Sequence, residues 1–334
     1  MAVAFTDDEA QLYDRQIRLW GLDAQKRMRS ARVLLAGLTG LGVEVAKNIV
    51  LAGIKSITLL DGAVTTDADL TAQFYLGVES LGLNVSHSPK TRRQKRLLVH
   101  NAFMVAVVVD EENLESKQDS FFSQFDIVCL VGAPLNTMIS VNDACRKYCV
   151  KFIAGSVYGL SGFLFQDLLE HDYVEDVVRA PGEPPQVGKH ETAQQALDAA
   201  NETTASQFHS SFTPLSAALS VAWSDAIAAK RIKPAPKLWF ALLALWQTQR
   251  QNIELQATSD LLASAGIPSS VLPLDYLSAF FQSIGPEMSP VSAIVGGVYA
   301  QEVLKAVSGK DAPLNNVFLF DGTDGAGYAT RVSL

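Results

Sequence analysis

The chain has 334 residues, 48% hydrophobic and 19% charged, which is apolar material for one large domain or two and argues against wholesale disorder. A formal net charge of -8 argues against a general nucleic-acid binder, which carries a basic excess. Three cysteines, Cys129, Cys145 and Cys149, cannot build a disulfide framework, and with no CxxC and no histidine at ligand spacing they read as free thiols rather than a metal site.

In chain order, Thr6 and Glu9 form a capping-box pattern that predicts a helix from about Asp7, stopped at Gly21. At the helical period, Tyr13, Ile17 and Trp20 share one side, with Asp8, Gln11, Arg15 and Arg18 on the other. Residue types alone make this a docking helix with a solvated, charged face. "RVLLAG" then reads as a buried strand, "GLGVEVAKNIVLAG" as a helix ending in glycine and "SITLLD" as a second strand, which together form a βαβ unit. Strand-like runs follow at 103–110 and 125–133, a helix at 136–148, and a strand in "KFIAGSVYG". Strands alternating with helices predict a doubly wound, mostly parallel, Rossmann-like α/β sheet.

After residue 168 the composition shifts. "VVRAPGEPPQVGKHETAQQ" reads as a linker or exposed loop, and 192–284 reads as helical with breaks at Pro214, "KPAPK" and "AGIPSS". The last fifty residues return to the composition of the first part, with a small-residue helix in "SPVSAIVGGVYAQEVLKAVSG" and then a hairpin in "NNVFLFDGTDGAGYATRVSL". The expected plan is one α/β domain, 1–168 plus 285–334, interrupted by a linker and helical insertion at 169–284. The N-terminus lacks a signal-peptide pattern, and the longest apolar run, 238–246, is too short to span a bilayer. No membrane and no nucleic acid are expected as partners, and the sequon at Asn201 is expected to be silent in a reducing compartment.

Gly37, Gly40 and Gly42 lie between the first strand and its helix. Glycines there permit a tight turn and close approach of a phosphate to the helix N-terminus. Asp61 ends the next strand, where an acid can hold ribose hydroxyls. The spacing is GxxGxG rather than the dinucleotide GxGxxG, so a nucleotide pocket and a ligand-free tight turn both stand.

"YDRQIRLWG" followed by "VLLAGLTGLGVEVAKNIVLAGIKSITLLD" resembles the ThiF/MoeB superfamily of adenylating enzymes, which includes the activating enzymes of ubiquitin-like proteins. "PVSAIVGGVYAQEVLKA" and "FLFDG" resemble its late helix and closing strand. Active members use ATP to adenylate the C-terminal glycine of a ubiquitin-like protein. Their usual GxGGxGxE is here "GLTGLGVE", with Thr39 in the third place. Where they carry an Asn, an Arg, a Lys and a metal-binding "TDN" turn, this chain has Asp69, Ala72, Val85 and "GAP" at 132–134. Adenylation joins two anions and needs cations to offset that charge. The resemblance therefore implies a degenerate pocket at Gly37, Gly40, Gly42 and Asp61, with no nucleotide or metal expected on this chain.

Length and insertion look most like the smaller, regulatory subunits of SUMO-activating heterodimers. That implies a homologous catalytic subunit as partner, ATP and Mg²⁺ in that partner, contact with SUMO only indirectly, and a mainly nuclear, partly cytoplasmic location. It also gives Arg15 a role: reaching across the interface to the phosphates in the partner's ATP site, with Arg18 as a helper or a surface ion-pair partner. A guanidinium suits this, being always charged and able to fork between two oxygens. The alternatives are a self-sufficient MoeB-like homodimer, a nicotinamide dehydrogenase, or a scaffold for which Arg15 is dispensable. Cys145 and Cys149, beside Arg146 and Lys147, are weighed as thioester nucleophiles and set aside. "KTRRQKR" at 90–96 reads as the exposed face of a helix in preference to a nuclear import signal.

Overall fold

The computed structural model describes residues 11–84, 106–110, 112–178, 203–221, 237–248, 255–264, 266–267 and 269–332. Helix α1 (Asp14–Trp20) is followed, across Gly21, by α2 (Leu22–Met28). The sequence expectation named one helix here. Gly21, at φ +88°, does stop it, but Ala24, Gln25 and Met28 then bury one side of a second short helix. The predicted start near Asp7 lies outside the described residues.

The βαβ unit forms as read: β1 (Arg32–Ala36), α3 (Gly40–Leu51) and β2 (Ser56–Leu60). β3 (Ala106–Asp110), the short α4 (Asp119–Phe122), β4 (Ile127–Val131), α5 (Leu135–Lys147) and β5 (Lys151–Tyr158) continue it. β6 (Ser161–Asp167) returns antiparallel to β5, and β9 (Val317–Asp321) and β10 (Ala326–Thr330) extend that edge as the predicted hairpin. The sheet order is β10-β9-β6-β5-β4-β1-β2-β3, with β3, β2, β1, β4 and β5 parallel.

Alternation along β1 sorts the core. Val33 and Leu35 face α3 and the long α10 (Ser289–Ser308), while Leu34 and Ala36 face α5, α7 (Lys237–Gln247) and α9 (Leu274–Ser283). α7 is buried almost all round, from Leu238 to Leu245, as its unbroken apolar run requires. The remaining described helices are α6 (Leu215–Leu219) and α8 (Leu255–Ser264). Among the described residues, no helix is long and apolar enough to cross a membrane.

One segment departs from expectation. Within 169–284, read as a linker and helical insertion, β7 (Glu170–Val178) and β8 (Thr203–Ser211) pair antiparallel; β7 reaches the run read as a loop only at Val177 and Val178, while 203–211 lies in the run read as helical. The polar Ser and Thr content of β8 hid the strand, because both faces of this two-stranded ribbon lack the usual apolar alternation. The ribbon's base is tied to the main domain through Asp167, which is fully buried. It accepts from Arg146 Nε and Nη2 (2.6 and 3.0 Å) and from Asn142 Nδ2 (2.9 Å). Arg146 also donates to the Phe212 carbonyl (2.5 Å), and Asn142 Oδ1 accepts from Leu215 N (2.8 Å).

The small-residue face of α10 packs inside the chain. A Cβ on Gly296 would lie 2.7 Å from Glu44 Cβ, so this glycine sets how closely α10 approaches α3.

Candidate functional site

β1 lies between β2 and β4, so the chain reverses direction of travel across the sheet at the β1/β4 crevice, where open α/β sheets place their ligands. The glycine turn sits there. Gly37 has φ +96°, and a Cβ on it would meet the Val131 carbonyl oxygen at 2.2 Å. Only glycine satisfies both conditions. A Cβ on Gly42 would meet the Gly37 carbonyl oxygen at 2.1 Å, so the turn closes on its own helix.

The helix N-terminus that a phosphate would use already holds a carboxylate. Glu287 Oε2 accepts from Leu41 N at 2.7 Å, and Ser292 Oγ lies 3.3 Å from the same oxygen. Thr39 caps α3, its hydroxyl accepting from Gly42 N at 3.4 Å, and it also hydrogen-bonds to Glu287. Thr71 Oγ1 donates to the Glu287 carbonyl at 3.0 Å. Burial raises the Glu287 carboxyl above its ordinary range, and the neighbouring Asp69 adds to the rise. Asp61 is likewise engaged: Oδ2 accepts from Leu38 N (2.6 Å) and Oδ1 from Ala63 N (2.8 Å). Burial raises its pKa against those two hydrogen bonds.

Above the turn lies a cavity of about 220 Å³ lined by Thr39, Gly40, Asp69, Gly132, Ser156 and Glu287, with Ala68, Ala72, Val157, Tyr158, Gly285 and Pro286. Neither lysine nor arginine is among these residues. The departures from the adenylating pattern therefore converge in space: Thr39, Asp69, Ala72 and Gly132 share one cavity, while Val85 lies outside the described residues. Ala72 is buried against Gly40, where a Cβ would approach the Ala72 Cβ to 2.5 Å. A nucleotide and its Mg²⁺ do not fit this lining. The helix N-terminus is capped from within, and two carboxylates line the cavity with no cation beside them.

Arg15 lies elsewhere. Tyr13, 2% exposed, immediately precedes α1 and packs on Gly53, just past the C-terminal end of α3. Trp20 Nε1 donates to Gln25 Oε1 (2.9 Å), and Gln25 Nε2 to the Ala52 carbonyl (3.0 Å), fixing α1 and α2 at the same end. α3 has 12 residues, so its two ends are roughly 18 Å apart. The structure thus brings Gly37, Gly40, Gly42 and Asp61 together and puts Arg15 at the opposite end of α3. Arg15 is exposed and makes no hydrogen bond or ion pair with any described residue. Arg18 pairs with Asp14 at 3.0 Å on the exposed face.

Two of the three cysteines are shut away from solvent. Cys129 and Cys145 are buried, and burial pushes both thiols far up. Cys149 is exposed but lies beyond α5, so it does not share a helix face with Cys145. Arg146 is bound to Asp167 and Lys147 to Asp119 (3.2 Å). No cluster of three or more metal-ligating side chains occurs among the described residues. The basic run 90–96 and Asn201 lie outside them. Sequence reasoning missed Glu287: it stands 246 positions from the residue it caps, and no local pattern marks it.

The sequence model of the ThiF family matches residues 13–333. The chain is 41% identical to SUMO-activating enzyme subunit 1 of Xenopus laevis over 331 residues, 95% of this chain and 94% of that one. It is 40% identical to SUMO-activating enzyme subunit 1 of Homo sapiens over 336 residues, 96% of this chain and 94% of that one. The protein of the same name from Danio rerio is 40% identical over 343 residues, 98% of this chain and 96% of that one.

Proposed function

Because this chain belongs to the ThiF family, we propose that it acts as the regulatory subunit of a heterodimeric SUMO-activating enzyme, paired with a homologous catalytic chain. In this reading the partner binds ATP and Mg²⁺, adenylates SUMO and forms the thioester. This chain meets SUMO only through the assembly, and the complex works mainly in the nucleus. The chain lends Arg15 to the partner's ATP site. An always-charged, planar group delivered in trans offsets phosphate charge in the transition state.

The observation that carries the non-catalytic assignment is the Glu287 carboxylate at the N-terminus of α3. An anion in the phosphate position repels the substrate that an active site must attract. Support for the Arg15 role is geometric. Its helix is anchored at the far end of α3 from its own glycine turn, and its guanidinium is exposed without a described partner. It cannot serve its own cavity, and it is free to serve another's.

The test is pyrophosphate exchange by the reconstituted heterodimer. Arg15→Ala is expected to slow exchange by about 10³-fold, in the range of other arginine fingers, while the heterodimer still assembles. Unchanged exchange would return Arg15 to a surface role and favour the scaffold reading. Acyl-adenylate formation by the isolated chain would instead establish the self-sufficient homodimer.

A further inference from the structure

The cavity over the glycine turn has an inverted charge. Asp69 and Glu287 line it with no balancing lysine or arginine among its lining residues. Asp69 Oδ2 is held by Thr66 N and Oγ1, both at 2.8 Å, and Glu287 Oε2 by Leu41 N, so each carboxylate is fixed in place. A third group points the same way. Ser156 is 2% exposed, lines the cavity, and its hydroxyl has no hydrogen-bond partner among the described residues. A buried hydroxyl without a protein partner is rare in a folded protein, and this one is open to a donor entering the cavity.

We infer that this cavity receives one basic side chain, a guanidinium or an ammonium, presented by the homologous partner chain. Two fixed carboxylates and a hydroxyl suit a group that only donates, and a guanidinium can bridge both acids. A divalent metal is the poorer occupant, since the described residues bring no third carboxylate, histidine or cysteine to this place. The volume, about 220 Å³, accommodates a side-chain end. Reciprocity supplies the partner, and here the inference rests on the pairing proposed above. Homologous chains that pair about a pseudo-two-fold axis exchange equivalent contacts. If Arg15 enters the partner's cleft, the partner's corresponding segment is carried toward this one, where it meets carboxylates instead of phosphates.

The experiment measures the dissociation constant of the heterodimer at several salt concentrations, with the isolated chain's thermal midpoint as control. The double variant Asp69→Asn with Glu287→Gln keeps shape and removes both charges. It is expected to weaken the heterodimer about tenfold or more, and to flatten its salt dependence. The isolated variant should melt at the same temperature or higher, because mutual repulsion of the acids is gone. Asp69→Lys, which supplies a cation from within, should weaken association further than Asp69→Asn does. Unchanged affinity in the double variant overturns the inference, and so does a fall in the isolated chain's midpoint that alone accounts for the lost binding. If the unaltered chains never associate, the pairing itself fails. If they associate and the variants associate equally well, only the present inference fails.

Discussion

Gly53→Ala tests whether the docking of α1 positions Arg15. Gly53 has φ +84°, where an L-residue costs about 1–2 kcal/mol. Its added Cβ would lie 2.6, 2.7 and 2.8 Å from three atoms of the Tyr13 side chain, against a comfortable carbon separation of about 3.5–4.0 Å. The ring must retreat by about 1 Å, and overpacking of this kind costs about 1–3 kcal/mol. Together these give a destabilisation of about 2–5 kcal/mol, readable as a lower urea midpoint of the isolated chain. Tyr13 directly precedes α1, and α1 itself buries none of its own residues, so the retreat passes to Arg15 two positions on. A displacement of about 1 Å at a transition-state contact can cost about 100-fold in rate. Pyrophosphate exchange by the heterodimer should therefore fall by up to that factor, although Gly53 touches no nucleotide. Full exchange by Gly53→Ala, beside slow exchange by Arg15→Ala, would refute the claim that this docking sets the guanidinium's position.

Two further outcomes follow from buried ionisable groups. Arg146→Ala strands the buried Asp167 carboxylate and frees the Phe212 carbonyl, so chemical denaturation should show a loss of about 3 kcal/mol. Lys147→Ala, its exposed neighbour, should cost less than about 1 kcal/mol. His171 is 3% exposed, and burial together with Lys151 pushes its pKa down to about 4 from an ordinary 6.5. Between pH 6.5 and 4 the unfolded chain therefore binds a proton that the folded chain refuses. Stability falls as the pH is lowered through that window, by a few kcal/mol at most, and is regained above it. His171→Gln should flatten this part of the stability–pH curve, and an unchanged slope would rule His171 out as its source.

Where packing follows local periodicity, the sequence was legible. β1, α3 and β2 fall where apolar runs and glycines put them, because each element buries residues already spaced for it. Gly37, Gly40 and Gly42 likewise sit at one turn. Two features were hidden for different reasons. The β7–β8 ribbon consists of polar strands held by mutual pairing, with the partner more than twenty residues away, so its segments resemble loop and helix when read singly. Glu287 is invisible because its meaning is entirely tertiary. It gains its role only when the start of α10 lies over the start of α3, and Gly296 permits that approach. The departures at Thr39, Asp69 and Ala72 could be read as a bulkier residue in the glycine turn, an acid in place of an amide and the loss of an arginine. That Glu287, from the far end of the chain, lines the same cavity could not.

The internal carboxylate also acts as a ratchet. Suppose a single mutation placed an arginine at position 72, where the resemblance to adenylating enzymes calls for one. The new guanidinium would have to displace the contact between Ala72 and Gly40. It would then find Glu287 and Asp69 waiting, and would pair with them rather than with an incoming triphosphate. Any other lone cation introduced into this lining would be neutralised in the same way. On the function proposed above, a new cation in this cavity serves a phosphate only after the Glu287 carboxylate has gone, a change that by itself uncaps the start of α3.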